Sequence, residues 1–577
     1  MMKKKNKENI KDKLVVEKIL LMIVIALILC IDMKKDMTVH IATDEFGYWV
    51  SAANFLGYDW SNCASLNNYY SFGYGLILAP LFLIFENPAT IYKVALGLNV
   101  VMILLSFLIS YSCFERVLVR ISKKQVLLIC FVASIYAGNI FYTKLTLTEC
   151  FLWLLYNVTL WMVQRYCETK KIRFLIIGFT ISGFMFMVHM RTLGIACAMF
   201  LCLVFIKDSN NILKKMKVLF VIVVLLISFF LLEEYIKESL QSLQYLNNGA
   251  SANDIQGQTG KMRYLFSIDG IKYFISNFSG RLFYLGYSTL LLFFFGVYSS
   301  IKKIFVGWEQ EKKEQVFFYA FILLTMFFAI CISSLFMINV IRGRTDTLFY
   351  GRYSEYVLVP FIVLGIEELH SNKDRYRLIC LFGLIQLLLA ILVQNWVVQY
   401  EMSGMLDVSI PALYYWVKKN NFEPYVYFSI GLIPIIFSLI LGILQRGAYE
   451  IKFVLSILII GGWWVYMAHN SYVISDTHKH DEDYLQVYEV IEENSQDVLD
   501  VYYCFNETDK ENSYYFMGID RIQFCLKDNR IRFCDIEEIE NIAEGSKIIV
   551  RNKSGCNEHL KNKEILLENS EFNVYKR

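Results

Sequence analysis

The sequence predicts an α-helical polytopic membrane protein that ends in a small α/β domain. Of the 577 residues, 56% are hydrophobic and 19% are charged, whereas about a quarter of the residues in soluble domains are charged. Apolar runs recur between residues 14 and 470, and many approach the length of about 20 residues that one helix needs to cross a bilayer. The polar residues 478–577 predict a separate domain outside the membrane.

The first elements follow from this pattern. A polar, lysine-rich N-terminus covers residues 1–13, and Leu14–Met33 predicts a signal anchor, because no small-residue cleavage site follows it. Leu76–Phe85 is too short to cross the membrane and predicts an interfacial or re-entrant helix. Ile91–Phe114 predicts the second span. Later apolar runs bring the expected total to about thirteen transmembrane helices; they are centred near residues 133, 156, 181, 199, 226, 290, 328, 360, 386, 435 and 461.

The distribution of basic residues predicts the topology. Lysine and arginine cluster in alternate loops, on the same side as the N-terminus, and the positive-inside rule makes that side cytoplasmic. An odd number of spans then places the C-terminal domain and the loop 34–90 outside the cytoplasmic membrane. The basic clusters lie at residues 116–124, 165–173, 207–217, 302–313, 373–377 and 446–452.

The C-terminal residues 478–577 predict a small extracytoplasmic α/β domain. Their apolar residues have helical spacing at first and then form short strand-like runs. These runs are Val498–Phe505, Tyr514–Leu526, Ile531–Cys534 and Lys547–Val550. Four cysteines could form disulfides in an exported domain: Cys504, Cys525, Cys534 and Cys556.

Two classes of function have little support in the composition. The net charge is +3 and the chain has no long basic arm, so nucleic-acid binding is not expected. There is no CxxC motif or Cys/His cluster with metal-binding spacing. Most cysteines occur in apolar runs, where they behave as small core residues.

The first outer loop contains the strongest candidate for chemistry. Asp44 and Glu45 follow the first span and lead into the aromatic residues Phe46, Tyr48 and Trp49. A carboxylate beside a membrane cleft can accept a proton from an attacking hydroxyl. The alternative is an ordinary solvated or helix-capping pair. An aromatic, glycine-rich segment that includes Tyr70 and Tyr74 lies further along the same loop.

An Asp-Glu pair in the first outer loop of a polytopic protein resembles the GT-C superfamily of integral-membrane glycosyltransferases. The likeness is greatest to the protein O-mannosyltransferases and the aminoarabinose transferases of lipid A, and it covers roughly residues 14–470. It implies a polyprenyl-phosphate-linked sugar donor and inversion at the anomeric carbon. Asp44 is then the catalytic base, and Glu45 supports the base or orients the acceptor.

Arginines in the outer loops are the candidate ligands of the donor phosphate. Arg342, Arg344 and Arg352 fall on the outer side, against the positive-inside trend, and guanidinium binds phosphate in a bidentate manner. The alternative is binding to anionic lipid headgroups. The segment around Arg352 and Tyr353 also resembles a Gly-Arg-Tyr segment of these transferases. Arg191, near the outer end of the fifth span, is a further candidate or a snorkelling helix-end residue.

The substrate cavity is expected to include Glu149. By the resemblance, an acidic residue at the start of the fourth span lines the cavity, whereas the simpler interpretation is a carboxylate favoured by the helix dipole. The aromatic residues assigned to the cavity are Tyr48, Tyr70, Tyr74 and Tyr353.

The predicted function is transfer of a sugar to an acceptor hydroxyl of a glycan, lipid or protein at the outer membrane face. Membrane lipids surround the protein. No cofactor is required, although Asp44 and Glu45 could bind a divalent cation, which carboxylates suit. The alternatives are a transporter or flippase, a polymerase or ligase of lipid-linked surface glycans, and a non-enzymatic membrane anchor.

Overall fold

The computed structural model of the protein consists of packed helices and one C-terminal sheet, as the sequence predicts. It describes residues 2–40, 42–65, 70–205, 212–244, 255–338, 344–444, 450–475, 479–493, 500–506, 509 and 518–577. The helices in the first half of the chain are α1 (Met2–Leu29), α2 (Ala42–Phe55), α3 (Ser61–Ala64), α4 (Gly75–Ile84), α5 (Pro88–Val117), α6 (Lys123–Ser134), α7 (Ala137–Tyr142), α8 (Glu149–Thr169), α9 (Ile172–Val188), α10 (Leu193–Phe205), α11 (Ile212–Gln244), α12 (Ile255–Leu265) and α13 (Ile268–Ser288).

The second half continues with helices up to the C-terminal region. They are α14 (Leu292–Glu309), α15 (Lys313–Phe336), α16 (Asp346–Phe349), α17 (Arg352–Glu355), α18 (Val359–Ser371), α19 (Arg375–Gln399), α20 (Tyr414–Lys419), α21 (Val426–Leu444), α22 (Glu450–Ser475), α23 (Asp481–Glu493), α24 (Ile519–Cys525) and α25 (Cys556–His559). The short apolar piece before the second predicted span is the ten-residue α4, which ends before α5 begins.

The expected count of about thirteen spans is not confirmed. Among the described residues, six helices are long and apolar enough to cross a membrane, or seven if one bent pair counts as a span. Three shorter apolar helices are α4, α9 and the stretch Met190–Phe205. Most of the predicted runs are helical, although the run centred near 290 contains the break between α13 and α14. Several of the helices are too short or too polar to qualify as a full span.

The bent pair consists of α13 and α14, and the chain bends by 103° at the break between them. Leu290 and Leu291 between them both have left-handed backbone angles, with φ of 55° and 65°. Side chains from later helices bind carbonyls at this break: Ser438 donates to the oxygen of Leu290 at 2.8 Å, and Trp464 donates to that of Ser288 at 2.8 Å. Two carbonyl groups at the break are therefore hydrogen-bonded within the protein, as non-helical backbone at membrane depth requires.

The C-terminal sheet has the strand order β2-β1-β3-β5-β4. Its strands are β1 (Val501–Phe505), β2 (Ile531–Asp535), β3 (Lys547–Arg551), β4 (Glu564–Glu568) and β5 (Phe572–Lys576). The first three are parallel neighbours, and β5 pairs antiparallel with both β3 and β4. The prediction of a strand at Tyr514–Leu526 is wrong for its described part, which contains the helix α24. Six of the seven residues of α24 are buried, so this helix is enclosed on nearly all sides.

The C-terminal region packs on the first outer loop rather than standing apart from it. The ring of Phe524 in α24 lies 4.9 Å from that of Trp49 in α2. Trp60, just before α3, donates from its indole nitrogen to the backbone oxygen of Lys527 at 2.9 Å. These contacts hold α2 between the C-terminal region and the membrane helices.

Candidate active site

Asp44 lies in the first turn of α2 and has two partners. The hydroxyl of Tyr70 donates to its Oδ1 at 2.7 Å, and the Nη1 of Arg352 binds its Oδ2. The Asp44 side chain remains 24% exposed. A Cβ on Gly47 would lie 2.1 Å from the Tyr70 ring, so the glycine one turn along α2 allows this ring to reach the carboxylate.

Arg352 joins Asp44 to a second carboxylate. Its Nε donates to Oε1 of Glu149 at 2.6 Å, and the Nη2 of Arg191 donates to the same oxygen at 2.7 Å. Arg352, Glu149 and Arg191 are all buried. Residues far apart in the sequence thus form one charged chain, Asp44–Arg352–Glu149–Arg191, in which two guanidinium groups converge on a single carboxylate.

Arg191 has unused hydrogen-bonding capacity. Among the described residues, its buried Nε and Nη1 have no hydrogen-bond partner, and neither has the buried Oε2 of Glu149. The guanidinium carbon lies 4.5 Å from the ring centre of Tyr353, an arrangement typical of a cation–π contact. Buried donors without a partner are costly, so this end of the charged chain is suited to an anionic ligand.

The charged partners set the acidity of Asp44. Burial alone raises the pKa of this carboxyl, but Arg352 and the Tyr70 hydroxyl lower it by more, so the pKa of Asp44 lies below its ordinary value of 3.8. Asp44 is therefore ionised at neutral pH, as a base must be. While Arg352 occupies one oxygen and Tyr70 the other, however, the carboxylate is a poor proton acceptor.

Glu45 is directed away from this cluster and into the protein. It is fully buried; its Oε1 accepts from the backbone nitrogen of Thr146 at 2.5 Å and from the Tyr92 hydroxyl at 2.9 Å. Its Oε2 accepts from the backbone nitrogen of His40 at 2.7 Å. These contacts fasten α2 to the buried segment before α8, so we assign Glu45 a positioning role.

The other predicted phosphate ligands differ in their surroundings. Arg344 is bound by Asp346 through two hydrogen bonds of 3.1 and 2.6 Å, and this pair lies just before α17, which carries Arg352. Arg342 lies outside the described residues. Arg344 thus neighbours the charged chain, but its guanidinium already has a carboxylate partner.

The predicted aromatic residues surround the cluster. The rings of Tyr48 and Tyr70 meet edge to face at 5.4 Å, and those of Tyr48 and Tyr74 at 5.6 Å. Tyr74 donates to Asn99 at 3.3 Å, and Asn99 in turn binds the backbone oxygen of Leu145 at 2.8 Å. Tyr74 is therefore part of the support for the segment before α8, whereas Tyr70 and Tyr353 contact the charged groups directly.

Glu355 is a buried carboxylate whose importance the sequence does not indicate. It accepts hydrogen bonds from the hydroxyls of Tyr136 at 2.6 Å, Tyr284 at 2.6 Å and Tyr142 at 2.8 Å. Burial raises the pKa of Glu355 despite these bonds. It ends α17, one turn after Arg352, so the tyrosine cage fixes the helix that presents the guanidinium. The one sequence signal that could have identified Glu355 is its position close after Arg352.

An apolar cleft opens beside Arg191. It has a volume of about 610 Å³ and lies between α9, α10, α11 and α15. Phe186 and Leu193, which line it, flank the turn that carries Arg191. Apart from Ser182, the remaining lining consists of apolar residues and includes Ala196, Phe229 and Phe328. The cleft therefore leads from the membrane helices toward the cationic end of the charged chain.

The described residues contain no group of three or more His, Cys, Asp or Glu side chains that could hold a metal ion. Asp44 and Glu45, the predicted ligands of an optional divalent cation, bind different partners. Among the described residues, Asp44 and Glu149 are paired with the arginines Arg352 and Arg191.

Comparisons with known proteins identify the fold. No family model and no curated protein matches the chain. The crystal structure of ArnT from Cupriavidus metallidurans bound to undecaprenyl phosphate is similar over 98% of both chains, with 9% identity and a TM-score of 0.50. This similarity confirms the GT-C-like fold expected from the sequence.

Two further structures are similar at lower scores. The apo form of the same ArnT has 9% identity, a TM-score of 0.49 and coverage of 98% of each chain. Arabinosyltransferase EmbB from Mycobacterium smegmatis has 11% identity and a TM-score of 0.40, covering 78% of this chain and 40% of its own.

Proposed function

We propose that this protein is an inverting glycosyltransferase that moves a sugar from a polyprenyl-phosphate donor to an acceptor hydroxyl. One observation carries the proposal: Arg191 and Arg352 converge on Glu149 beside Asp44, and Arg191 keeps two buried donors without a partner among the described residues. Phosphate, like carboxylate, forms strong and often bidentate hydrogen bonds with guanidinium groups.

The apolar cleft supports a lipid-linked donor rather than a soluble nucleotide sugar. A polyprenyl tail is a long hydrocarbon, and the cleft beside Arg191 offers an apolar surface inside the membrane region. With the tail in the cleft, its phosphate would reach the turn at Met190–Thr192, where Arg191 lies. The crystallised ArnT that shares this fold contains undecaprenyl phosphate, which is consistent with such a donor.

Donor binding also provides a way to release the base. In the structure, Arg352 is bound to Asp44. A donor phosphate competes for this guanidinium, so its arrival frees Oδ2 of Asp44 and removes the cation that holds the pKa of Asp44 low. Asp44 thus becomes a stronger base when the donor is in place.

The transfer step then needs one proton acceptor and one stabilised leaving group. The acceptor oxygen bonds to the anomeric carbon on the face opposite the phosphate, while the bond from that carbon to the phosphate oxygen breaks and its electron pair stays with the phosphate. The acceptor proton passes to Asp44. Arg352 and Arg191 stabilise the charge that develops on the phosphate, which is where fixed cations contribute most.

The proposed location is the outer face of the cytoplasmic membrane, with the N-terminus inside and the C-terminal domain outside. Glu149 begins α8, while Glu168 at its other end pairs with Arg116 near the end of α5 at 3.0 Å. The basic clusters 116–124 and 165–173 therefore lie at the ends of these helices that are remote from the site. The positive-inside rule supports a cytoplasmic position for those ends.

The alternatives have weaker structural support. Transporters often contain paired broken helices from inverted repeats, and the described residues contain one bent pair. The site also joins a base to a phosphate clamp, which a flippase or anchor does not need. A polymerase or ligase of lipid-linked glycans remains the closest rival, because it would use the same clamp.

The proposal is tested by incubating membranes that contain the protein, or lack it, with polyprenyl monophosphate and polyprenyl diphosphate sugars. We expect consumption of a monophosphate donor and release of polyprenyl monophosphate only when the protein is present. Release of polyprenyl diphosphate instead would favour the ligase. Sugar that crosses the bilayer while still linked to lipid would contradict the transferase and favour the flippase.

Filling the apolar cleft should affect long donors selectively. Ala196→Phe is expected to raise KM for a long polyprenyl donor about tenfold, because displacing two buried methylenes costs about 1.6 kcal/mol. KM for a donor with a chain of two isoprene units should stay unchanged. Val204→Phe on the same helix α10, outside the cleft lining, is the matched control. Equal KM changes for both donors would show that the cleft does not hold the tail.

A further inference from the structure

The start of α23 in the C-terminal region is bound to the chain segment that precedes α2. The buried carboxylate of Asp481 accepts hydrogen bonds from the backbone nitrogens of Met37 at 2.8 Å and Thr38 at 3.3 Å. Its Oδ2 also lies 3.2 Å from Nε2 of His40. One carboxylate from the C-terminal region therefore fixes three residues of the first outer loop.

Arg521 in α24 completes this attachment. Its Nη2 donates to the backbone oxygen of His40 at 2.8 Å, and its Nη1 lies 3.4 Å from Oδ1 of Asp481. The Asp481 and His40 side chains are almost entirely buried. Removing one partner of a buried ionic contact leaves an uncompensated buried charge, so loss of Asp481 or Arg521 should disturb this attachment more than loss of an exposed pair would.

The attachment continues directly to the proposed base. The backbone nitrogen of His40 donates to Oε2 of Glu45 at 2.7 Å, and Glu45 is the residue after Asp44. On its other side Glu45 is held by Thr146 and Tyr92. The first turn of α2 is thus fixed between the membrane helices and the C-terminal region.

We infer that Asp481 and Arg521 are positioning residues for Asp44, so the C-terminal domain is an integral part of the active site. This inference rests on the proposed function for its catalytic consequence. Its structural part is independent: without these two residues, Met37, Thr38 and His40 lose the hydrogen bonds that attach their backbone to the C-terminal region. The domain then serves to hold the base in line with the donor site, a geometry on which transfer rates depend strongly.

The test compares two variants with a matched control in the full-length protein. Asp481→Asn and Arg521→Gln remove partners of the segment 36–40. Arg530→Ala removes a different contact between the same domain and the same loop, where Arg530 binds Asp59 at 2.9 Å and Asn62 at 3.0 Å. The control therefore loosens the domain without touching His40 or Glu45.

We expect kcat for sugar transfer to fall about tenfold to 100-fold in Asp481→Asn and Arg521→Gln, since a misplacement of about 1 Å is enough for such a loss. KM for the donor should change by less than about twofold, because the phosphate and tail sites are supported by other elements. Arg530→Ala should keep both constants. Equal kcat in all variants, or an equal loss in the control, would overturn the inference.

Hydrogen exchange separates this inference from the proposed function. Amides of residues 36–50 should exchange at least about tenfold faster in Asp481→Asn and Arg521→Gln than in wild type, whereas Arg530→Ala should affect residues 59–65 instead. If wild type transfers no sugar, the proposed function fails, but this exchange pattern still supports the positioning contacts. Unchanged exchange at residues 36–50 in both variants would disprove them.

Discussion

Replacing Asp44 by asparagine is expected to lower sugar transfer by a factor of about 100 or more, within the usual range for loss of a general base. Asparagine has nearly the same shape and can still accept the hydrogen bond that Tyr70 donates to Asp44. It cannot take the proton of the acceptor hydroxyl. The measurement is the initial rate of release of polyprenyl phosphate from the sugar donor, at equal abundance of the two proteins.

Phosphate binding distinguishes loss of the base from general damage. Asp44→Asn frees Arg352 from one of its two carboxylate partners, while Glu149 remains. Undecaprenyl phosphate should therefore bind as tightly as in wild type or more tightly, while transfer falls. Asp59→Asn is the matched control, because Asp59 is a half-exposed acid of the same loop that pairs with Arg530, and it should keep full activity. Equal transfer by Asp44→Asn and wild type would exclude Asp44 as the base.

The charged chain shows what sequence reasoning can recover. Asp44, Glu149, Arg191 and Arg352 are each selected by their position in the predicted topology. Asp44 follows the first span, Glu149 begins a span, and Arg352 falls on the outer side against the positive-inside trend. Arg191 lies near the outer end of a span, where an ionisable residue is expensive. Their pairing cannot be predicted, because the contacts join residues up to 308 positions apart. The unpartnered donors of Arg191 appear only when the neighbouring elements are in place.

Glu45 illustrates a different limit. Its adjacency to Asp44 suggests a shared role, but successive residues of a helix point in directions about 100° apart. Asp44 consequently faces Arg352, while Glu45 faces Thr146 and Tyr92. The role of Glu355 is not predictable from the sequence for a related reason. Its tyrosine partners come from two other parts of the chain, Tyr136 and Tyr142 around α7 and Tyr284 in α13, and none of them has a local signal.

The span count is not confirmed and one strand prediction is wrong, because local patterns do not specify tertiary geometry. An apolar run of sufficient length predicts a straight span, yet α13 and α14 bend by 103° around two left-handed leucines. In the C-terminal region, aromatic and branched residues favour a strand at Tyr514–Leu526, but the described part contains the buried helix α24, which packs on α2. Tertiary contacts thus override propensity in both places.

Replacing Arg352 by glutamine should cause the second large loss, with kcat/KM falling about 100-fold to 1,000-fold, the range typical of removing one group that stabilises a developing negative charge. Glutamine can still reach Glu149 or Asp44 with an amide hydrogen, but it carries no charge for the phosphate. Because Arg191 remains, weakened binding of undecaprenyl phosphate should still be measurable. An unchanged kcat/KM would contradict the assignment of Arg352 to the phosphate.

Arg352→Gln should also change the pH dependence of kcat/KM, which a purely structural defect would not do. In wild type, Arg352 helps hold the pKa of Asp44 below 3.8, so the free enzyme loses activity on the acid side only as the pH falls through that low value. Without Arg352, burial raises the pKa, and the acid limb of kcat/KM should move to higher pH. Arg344→Gln removes a weaker charge and should move it less, in the same direction. An acid limb that stays in place in Arg352→Gln would mean that Asp44 does not titrate as the base, because its nearest cation could then be removed without effect.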